Sequence, residues 1–197
     1  MKEGKLPTLV QIKKLMVKIA SENGIKKQVN NTRRHSVVVW HLADKIACLA
    51  SKNGYKVDRK FLKVGCYIHD IGRMVTGSKG SKELQPDIFH FYEGYYIMIA
   101  HNYPELARIC VCHACGAGLD KKINKRYNFI ARNFFPRTIE EKIIAYADAR
   151  TDYKKGKGSY IWPFTKAYNR FKKYSGVGKR LKQNHQFIKR ITKGKII

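Results

Sequence analysis

The nine residues Gly65-Cys66-Tyr67-Ile68-His69-Asp70-Ile71-Gly72-Arg73 (GCYIHDIGR) decide how this chain is read. An apolar helical run ends there in an adjacent histidine and aspartate, followed by glycine and arginine. Upstream, Asp58 is placed to cap a helix whose inward face holds Phe61, Leu62, Gly65, Ile68 and His69. Gly72 is expected to end that helix as a C-terminal glycine. Neighbouring helix side chains diverge by about 100°. His69 and Asp70 can therefore point at one centre only where the backbone turns, and a turn at Gly72 is expected to let them.

Helical signals extend in both directions. Thr8-x-x-Gln11 after Pro7 forms a capping box, Leu9, Ile12, Met16 and Ile19 follow as an apolar stripe, and Asn23-Gly24 closes it. A helix over residues 32–51 aligns His35, Val38, Leu42, Ile46 and Leu49. Residues 73–86 read as a loop. A helix over 87–101 aligns His90, Gly94, Ile97 and His101, and Pro104 opens another with Leu106, Ile109, Cys110 and His113 inward. After a polar stretch, 117–137, Thr138-x-x-Glu141 is a second capping box, with Ile144 and Asp148 behind it. Lys154 to Ser159 reads as a basic loop, Pro163 opens a helix with Phe164, Tyr168 and Phe171, and a last basic helix follows Gly178. Strand alternation is nearly absent, so the expected fold class is all-α. The expected division is an N-terminal helical extension packing on the core (1–30), a central domain (31–153) and a basic helical C-terminal extension (154–197).

Forty-one Lys and Arg against 14 Asp and Glu give a formal charge of +27 over 197 residues. Residues 149–197 hold 15 Lys and Arg and one acid, Asp152. Such a segment attracts polyanions at low salt through counterion release; a solvated lysine-rich surface reads equally well. The aromatics Tyr160, Trp162, Phe164, Tyr168, Phe171 and Tyr174 alternate with cations there, as core packing at helical spacing or as a stacking surface for nucleic acid. No stretch reaches the roughly 18 uncharged apolar residues of a membrane span, and no signal-peptide core is visible at the N-terminus. Five cysteines, an odd number, argue against a disulfide framework. A cytoplasmic chain without a membrane partner is expected. Cys112 and Cys115 have C-x-x-C spacing, but the second half of a cysteine zinc site is missing. His41 and His101 read as structural, and His185 has no assigned role.

Six polar groups fall on the apolar faces of five helices: His35, His69, Asp70, His90, His113 and Asp148. Singly, each histidine reads as a core residue that has found a hydrogen bond. Burial of an unpartnered carboxylate costs on the order of several kcal/mol. A shared metal explains all six together, because imidazole and carboxylate suit divalent cations.

In Arg34-His35, His69-Asp70-Ile71-Gly72-Arg73, His90-Phe91-Tyr92-Glu93-Gly94, the run His113 to Gly118 and the run Glu141 to Asp148, the chain resembles the HD-domain metal-dependent phosphohydrolases. It is most similar to the subgroup with an HDIG signature. The resemblance implies an HD-domain helical bundle with a metal site between its helices, over residues 31–153. It implies that His35, His69, Asp70 and Asp148 hold one metal, and that His90 and His113 join Asp70 in holding a second. The family uses manganese, iron, magnesium and zinc, and a histidine-rich set favours manganese or iron. The implied reaction is attack of metal-activated water on a phosphoester or phosphoanhydride, with a nucleotide or nucleotide-like molecule as the small phosphorylated substrate. His69, Asp70 and Arg73 are the expected catalytic residues. Arg73 is also placed to bind phosphate bidentately, with Lys79, Lys82 and Arg150 as further phosphate-binding candidates. The alternative is a nucleic-acid-binding protein, or an RNA- or DNA-end phosphohydrolase, that uses the basic C-terminal segment.

Overall fold

The structure, a computed structural model, describes residues 6–77, 84–154 and 158–196. In chain order its elements are α1 (Leu9–Glu22), α2 (Lys27–Lys52), α3 (Arg59–Ile68), α4 (Arg73–Thr76), α5 (Leu84–Ala100), α6 (Pro104–Cys112), α7 (Lys121–Arg126), α8 (Ile139–Arg150), β1 (Thr151–Lys154), β2 (Gly158–Ile161), α9 (Phe164–Phe171) and α10 (Val177–Ile191). The all-α class holds. The exception is the antiparallel hairpin β1–β2, which pairs Thr151 with Ile161 and Lys154 with Gly158, partly within the segment expected to be a loop. Among the described residues no helix is long and apolar enough to cross a membrane.

Local chemistry sets the helix starts. Thr8 and Gln11 exchange the reciprocal bonds of a capping box at α1, and Thr138 and Glu141 do so at α8. The Asp58 carboxylate accepts from the Phe61 amide at α3. The second box is also a tertiary tie, since buried Glu141 accepts from Arg108 Nε of α6 at 2.8 Å.

Helix α2 forms the middle of the bundle and begins five residues earlier than the sequence pattern suggests. Its fully buried Val39, Ala43, Ile46, Ala47 and Ala50 face α3 and α8, and the alanines let those helices lie close. Ile12 and Met16 of α1 enter the same core, as do Ile188 and Ile191 of α10. A smaller apolar cluster joins Val177 and Leu181 of α10 to Ala117 and Ala149.

The HDIG stretch differs from its sequence reading in one respect. Helix α3 ends at Ile68, not at Gly72, and His69 is its C-terminal cap residue. The chain then tightens through i→i+3 bonds, from Ile71 N to Ile68 O and from Arg73 N to Asp70 O. Gly72 has φ −61° and ψ −19°, a conformation open to any residue, and it leads into α4. Glycine is needed there because of proximity: a Cβ would strike the His90 carbonyl oxygen and lie 2.6 Å from the Gly94 amide nitrogen. Gly72 thus seats the turn on the backbone of α5. Gly72→Ala is expected to destabilise the fold by about 3 kcal/mol, the upper range for overpacking. Gly24→Asn, at φ +69° but with open space around it, should cost under about 1 kcal/mol. Chemical denaturation of the two variants tests the contrast.

Candidate metal centre

Two of the candidate ligands are made by helix ends. The last carbonyls of a helix have no intrahelical donor. His69 caps α3, and its Nδ1 donates to Cys66 O at 2.8 Å; His113 caps α6, and its Nδ1 donates to Ile109 O at 2.9 Å. Each bond anchors the ring through Nδ1, so that the neutral imidazole carries its lone pair on Nε2; Ile109 O also accepts the His113 amide at 3.4 Å. The two rings meet edge to face, 4.8 Å apart.

The remaining ligands come from the middles or ends of other helices. His35 of α2 places Nε2 2.9 Å from Asp148 Oδ1 of α8, and His69 Nε2 lies 3.5 Å from the same oxygen. Asp70 Oδ1 stands 3.0 Å from His90 Nε2 of α5 and 3.6 Å from His113 Nε2. His69 Nε2 is 3.7 Å from Asp70 Oδ2. Two triads result, His35–His69–Asp148 and His69–Asp70–His113, each with donor atoms within 4.8 Å of one another. His69 belongs to both, and His90 joins through Asp70. All six side chains picked from the sequence therefore converge. His69, Asp70, His90 and His113 are buried, while the His35 and Asp148 side chains are about one-fifth exposed and form the wet edge of the cluster.

The electrostatics suit a cation. Burial raises the Asp70 pKa, but Arg73, then His69 and His90, outweigh it and hold the carboxyl well below its usual range. Asp148 is likewise depressed, with burial opposed by the bond to His35 and by the nearby His69. Burial pulls His69 down, yet Asp70 and Asp148 together lift it to about 9. His113 is lowered, chiefly by burial. His69 Nε2 and both nitrogens of His90 are buried without a hydrogen bond. Such orphans cost free energy unless something answers their lone pairs. Two ionised carboxylates beside unpartnered imidazoles form the donor set of a divalent metal, and these residues fit one.

The other candidates lie elsewhere. Arg73 does stand beside the centre, but two of its donors are taken: Nε binds Asp70 Oδ2 at 2.8 Å and Nη1 binds Asp87 Oδ1 at 2.7 Å. Arg150 is buried away from solvent, with Nε on Trp162 O at 2.7 Å and Nη1 on Tyr146 Oη at 3.1 Å. It joins α8 to the residue after the hairpin. Lys79 and Lys82 lie outside the described residues. The Cys110 and Cys112 thiols are pushed well up by burial and donate to carbonyls, Cys110 to Ile68 O and Leu106 O at 3.6 Å, so they behave as small core groups. Burial lifts Cys115 to about 12; Asp148 adds to this and Arg170 opposes it. His185 stacks on Phe164 at 3.7 Å between centroids, and its Nδ1 accepts from Tyr146 Oη at 2.7 Å.

Asp87 was missed from the sequence. It lies in the first turn of α5, with its Oδ1 3.4 Å from His90 Nδ1 while also holding Arg73. The nearby His90, then Arg73, keeps its carboxyl depressed against the upward pull of burial. Asp87-x-x-His90, i to i+3 at the start of the helix read over 87–101, was the available signal, while its other partner, Arg73, stood in the stretch read as loop. Asp87→Asn should weaken metal affinity about 10- to 100-fold, the usual effect of removing a carboxylate behind a ligating histidine. Metal titration by calorimetry measures this. Below about 9 a metal must displace the His69 proton. Apparent affinity should therefore rise with pH, by up to roughly tenfold per unit, and level off above that value.

A family model for the HD domain matches residues 32–151, a span that contains all six converging side chains. An uncharacterized protein of Methanocaldococcus jannaschii is 29% identical over 118 residues, 60% of this chain and 64% of its own length. A tRNA (cytidine(56)-2'-O)-methyltransferase of Picrophilus torridus is 29% identical over 131 residues, 66% of this chain and 33% of its own length. The chain thus spans less than two thirds of each of these relatives. No solved structure matches.

Proposed function

We propose that this chain, which belongs to the HD-domain family, is a metal-dependent phosphohydrolase of the HDIG-signature type. Its substrate is a phosphoester or phosphoanhydride of a nucleotide or nucleotide-like molecule. The observation that carries this reading is the convergence of His35, His69, Asp70, His90, His113 and Asp148, with buried imidazole nitrogens left unpartnered. The tRNA methyltransferase relative supports a nucleotide-containing substrate. A divalent cation held by these residues, with manganese or iron best suited to so many histidines, supplies Lewis-acid stabilisation and acidifies water.

The protein's own groups have separate tasks. His69 and His113, locked by their carbonyl bonds, aim Nε2 at the centre without reorganising, His69 once its extra proton is displaced. Asp70 and Asp148 supply the negative charge that retains the cation. Arg73 and Asp87 orient Asp70 and His90, so Arg73 acts by positioning. The phosphate enters at the His35–Asp148 edge, where the cluster meets solvent. Water adds to phosphorus, the bond from phosphorus to the leaving oxygen breaks, and that oxygen takes one of the water protons. Purified protein should carry a transition metal by elemental analysis and release phosphate from one or more members of a nucleotide panel with manganese. His69→Ala and Asp70→Asn should each lower the rate by about 10³-fold or more and reduce metal content. Full activity with full metal content in both variants would sink the reading.

A further inference from the structure

The C-terminal segment packs against residues that neighbour two of the candidate ligands in the chain. Val177 and Leu181 of α10 meet Ala117 and Ala149, and Cys115, Phe171 and Tyr174 pack against this contact. Ala149 follows the ligand Asp148, and Cys115 lies two residues beyond His113. From Tyr153 onward the sequence has 14 Lys and Arg and no Asp or Glu. A segment that carries no acid of its own is thus anchored on residues one and two positions from the candidate ligands.

The surface of that segment has a repeating arrangement. Lys166 and Arg170, both exposed and one helical turn apart on α9, lie over the Trp162 ring at 4.5 and 5.2 Å. Lys172 and Lys182, from two different elements, lie over the Tyr168 ring at 5.7 and 4.8 Å. Among the described residues none of these four cations is ion-paired to an acid. A half-buried ring with two unneutralised cations over it matches an unpaired base with its flanking phosphates: the ring stacks on the base and the cations meet the phosphates. A charged lipid surface needs only the charge and makes no use of the ring-and-cation pairing.

We propose that Trp162, α9 and the start of α10 form a binding surface for single-stranded nucleic acid that leads its phosphates to the metal centre. The substrate class is then a polynucleotide, and this refinement rests on the hydrolase reading above.

The test uses full-length protein with chelator present to hold off turnover. Fluorescein-labelled oligomers of about 15 nucleotides, within the site size of a single-strand binder, are titrated by fluorescence anisotropy over a salt series. RNA and DNA are each tried single-stranded and as duplex. Single strands should bind, and the RNA and DNA arms identify the preferred sugar. Lys166→Gln/Arg170→Gln/Lys182→Gln should weaken binding by about tenfold or more and lower the salt slope by about 2, near 0.7 per lost phosphate contact. A control with the same charge change on α1, Lys13→Gln/Lys14→Gln/Lys18→Gln, should stay within about twofold of wild type. Circular dichroism checks folding, and Arg170→Gln alone, expected to cost about threefold, replaces the triple variant if that does not fold. No binding by wild type, equal loss in both triple variants, preference for duplex, or tighter binding to phosphatidylserine vesicles would each overturn the proposal. The hydrolase reading is scored separately, by phosphate release from the nucleotide panel. Intact binding with no release sinks the hydrolase reading and the polynucleotide-substrate claim with it, leaving only the strand-binding surface, and release without strand binding sinks this proposal alone.

Discussion

A buried carboxylate organises this molecule. Asp70 is 5% exposed and ionised, and a charge removed from water must be met by partners within a few ångströms. Three helices and one turn supply them: His69 from the end of α3, His113 from the end of α6, His90 from α5 and Arg73 from the start of α4. Arg73 is in turn balanced by Asp87, which also stands behind His90. Moving any one of these elements would strand a charge. The packing of α3 to α6 and the geometry of the site are therefore one constraint.

Backbone contact makes that geometry attainable. Imidazole and carboxylate are short, so α5 must come very near the turn after α3 for His90 to reach Asp70. Gly72 permits this, because its missing side chain leaves room for the His90 carbonyl and the Gly94 amide. Helix ends do comparable work at His69 and His113. At a helix C-terminus the ring can bend back onto a carbonyl of its own last turn, which makes Nδ1 the donor and leaves Nε2 to face the centre.

Much of this was legible in the sequence, and the residues show why. Capping boxes at Thr8 and Thr138 are local rules written in four residues, and they formed as read. The convergence of the six candidate ligands was legible because polar residues on apolar helix faces are expensive and have to be explained jointly. Roles that depend on what lies opposite a residue were not legible. Gly72 was read as a helix stop from its position after the motif, yet its use comes from α5, some twenty residues on. Arg150 was read as a phosphate ligand because it follows Asp148, but two residues of helix rotate it by about 200°, and it is spent on Trp162 and Tyr146. Asp87 and His185 have partners distant in sequence or hidden in a stretch read as loop. The hairpin after α8 is only four residues per strand, too short to show alternation.

The C-terminal segment gains a second meaning from the same contacts. Tyr146 lies two residues before Asp148 on α8. Its hydroxyl donates to His185 of α10 and accepts from Arg150, which is fastened to Trp162. The last turn of α8, and with it the Asp148 carboxylate, is thus held from outside the central core by residues beyond the hairpin. Asp148 and His35 are also the solvent-exposed edge of the ligand set. Ala149, next to Asp148 in the chain, packs on Val177 and Leu181, which belong to a segment with no acidic residue after Asp152. The proposed anionic substrate would be drawn toward this half of the molecule by the charge imbalance of that segment, because long-range attraction between unlike charges favours its approach.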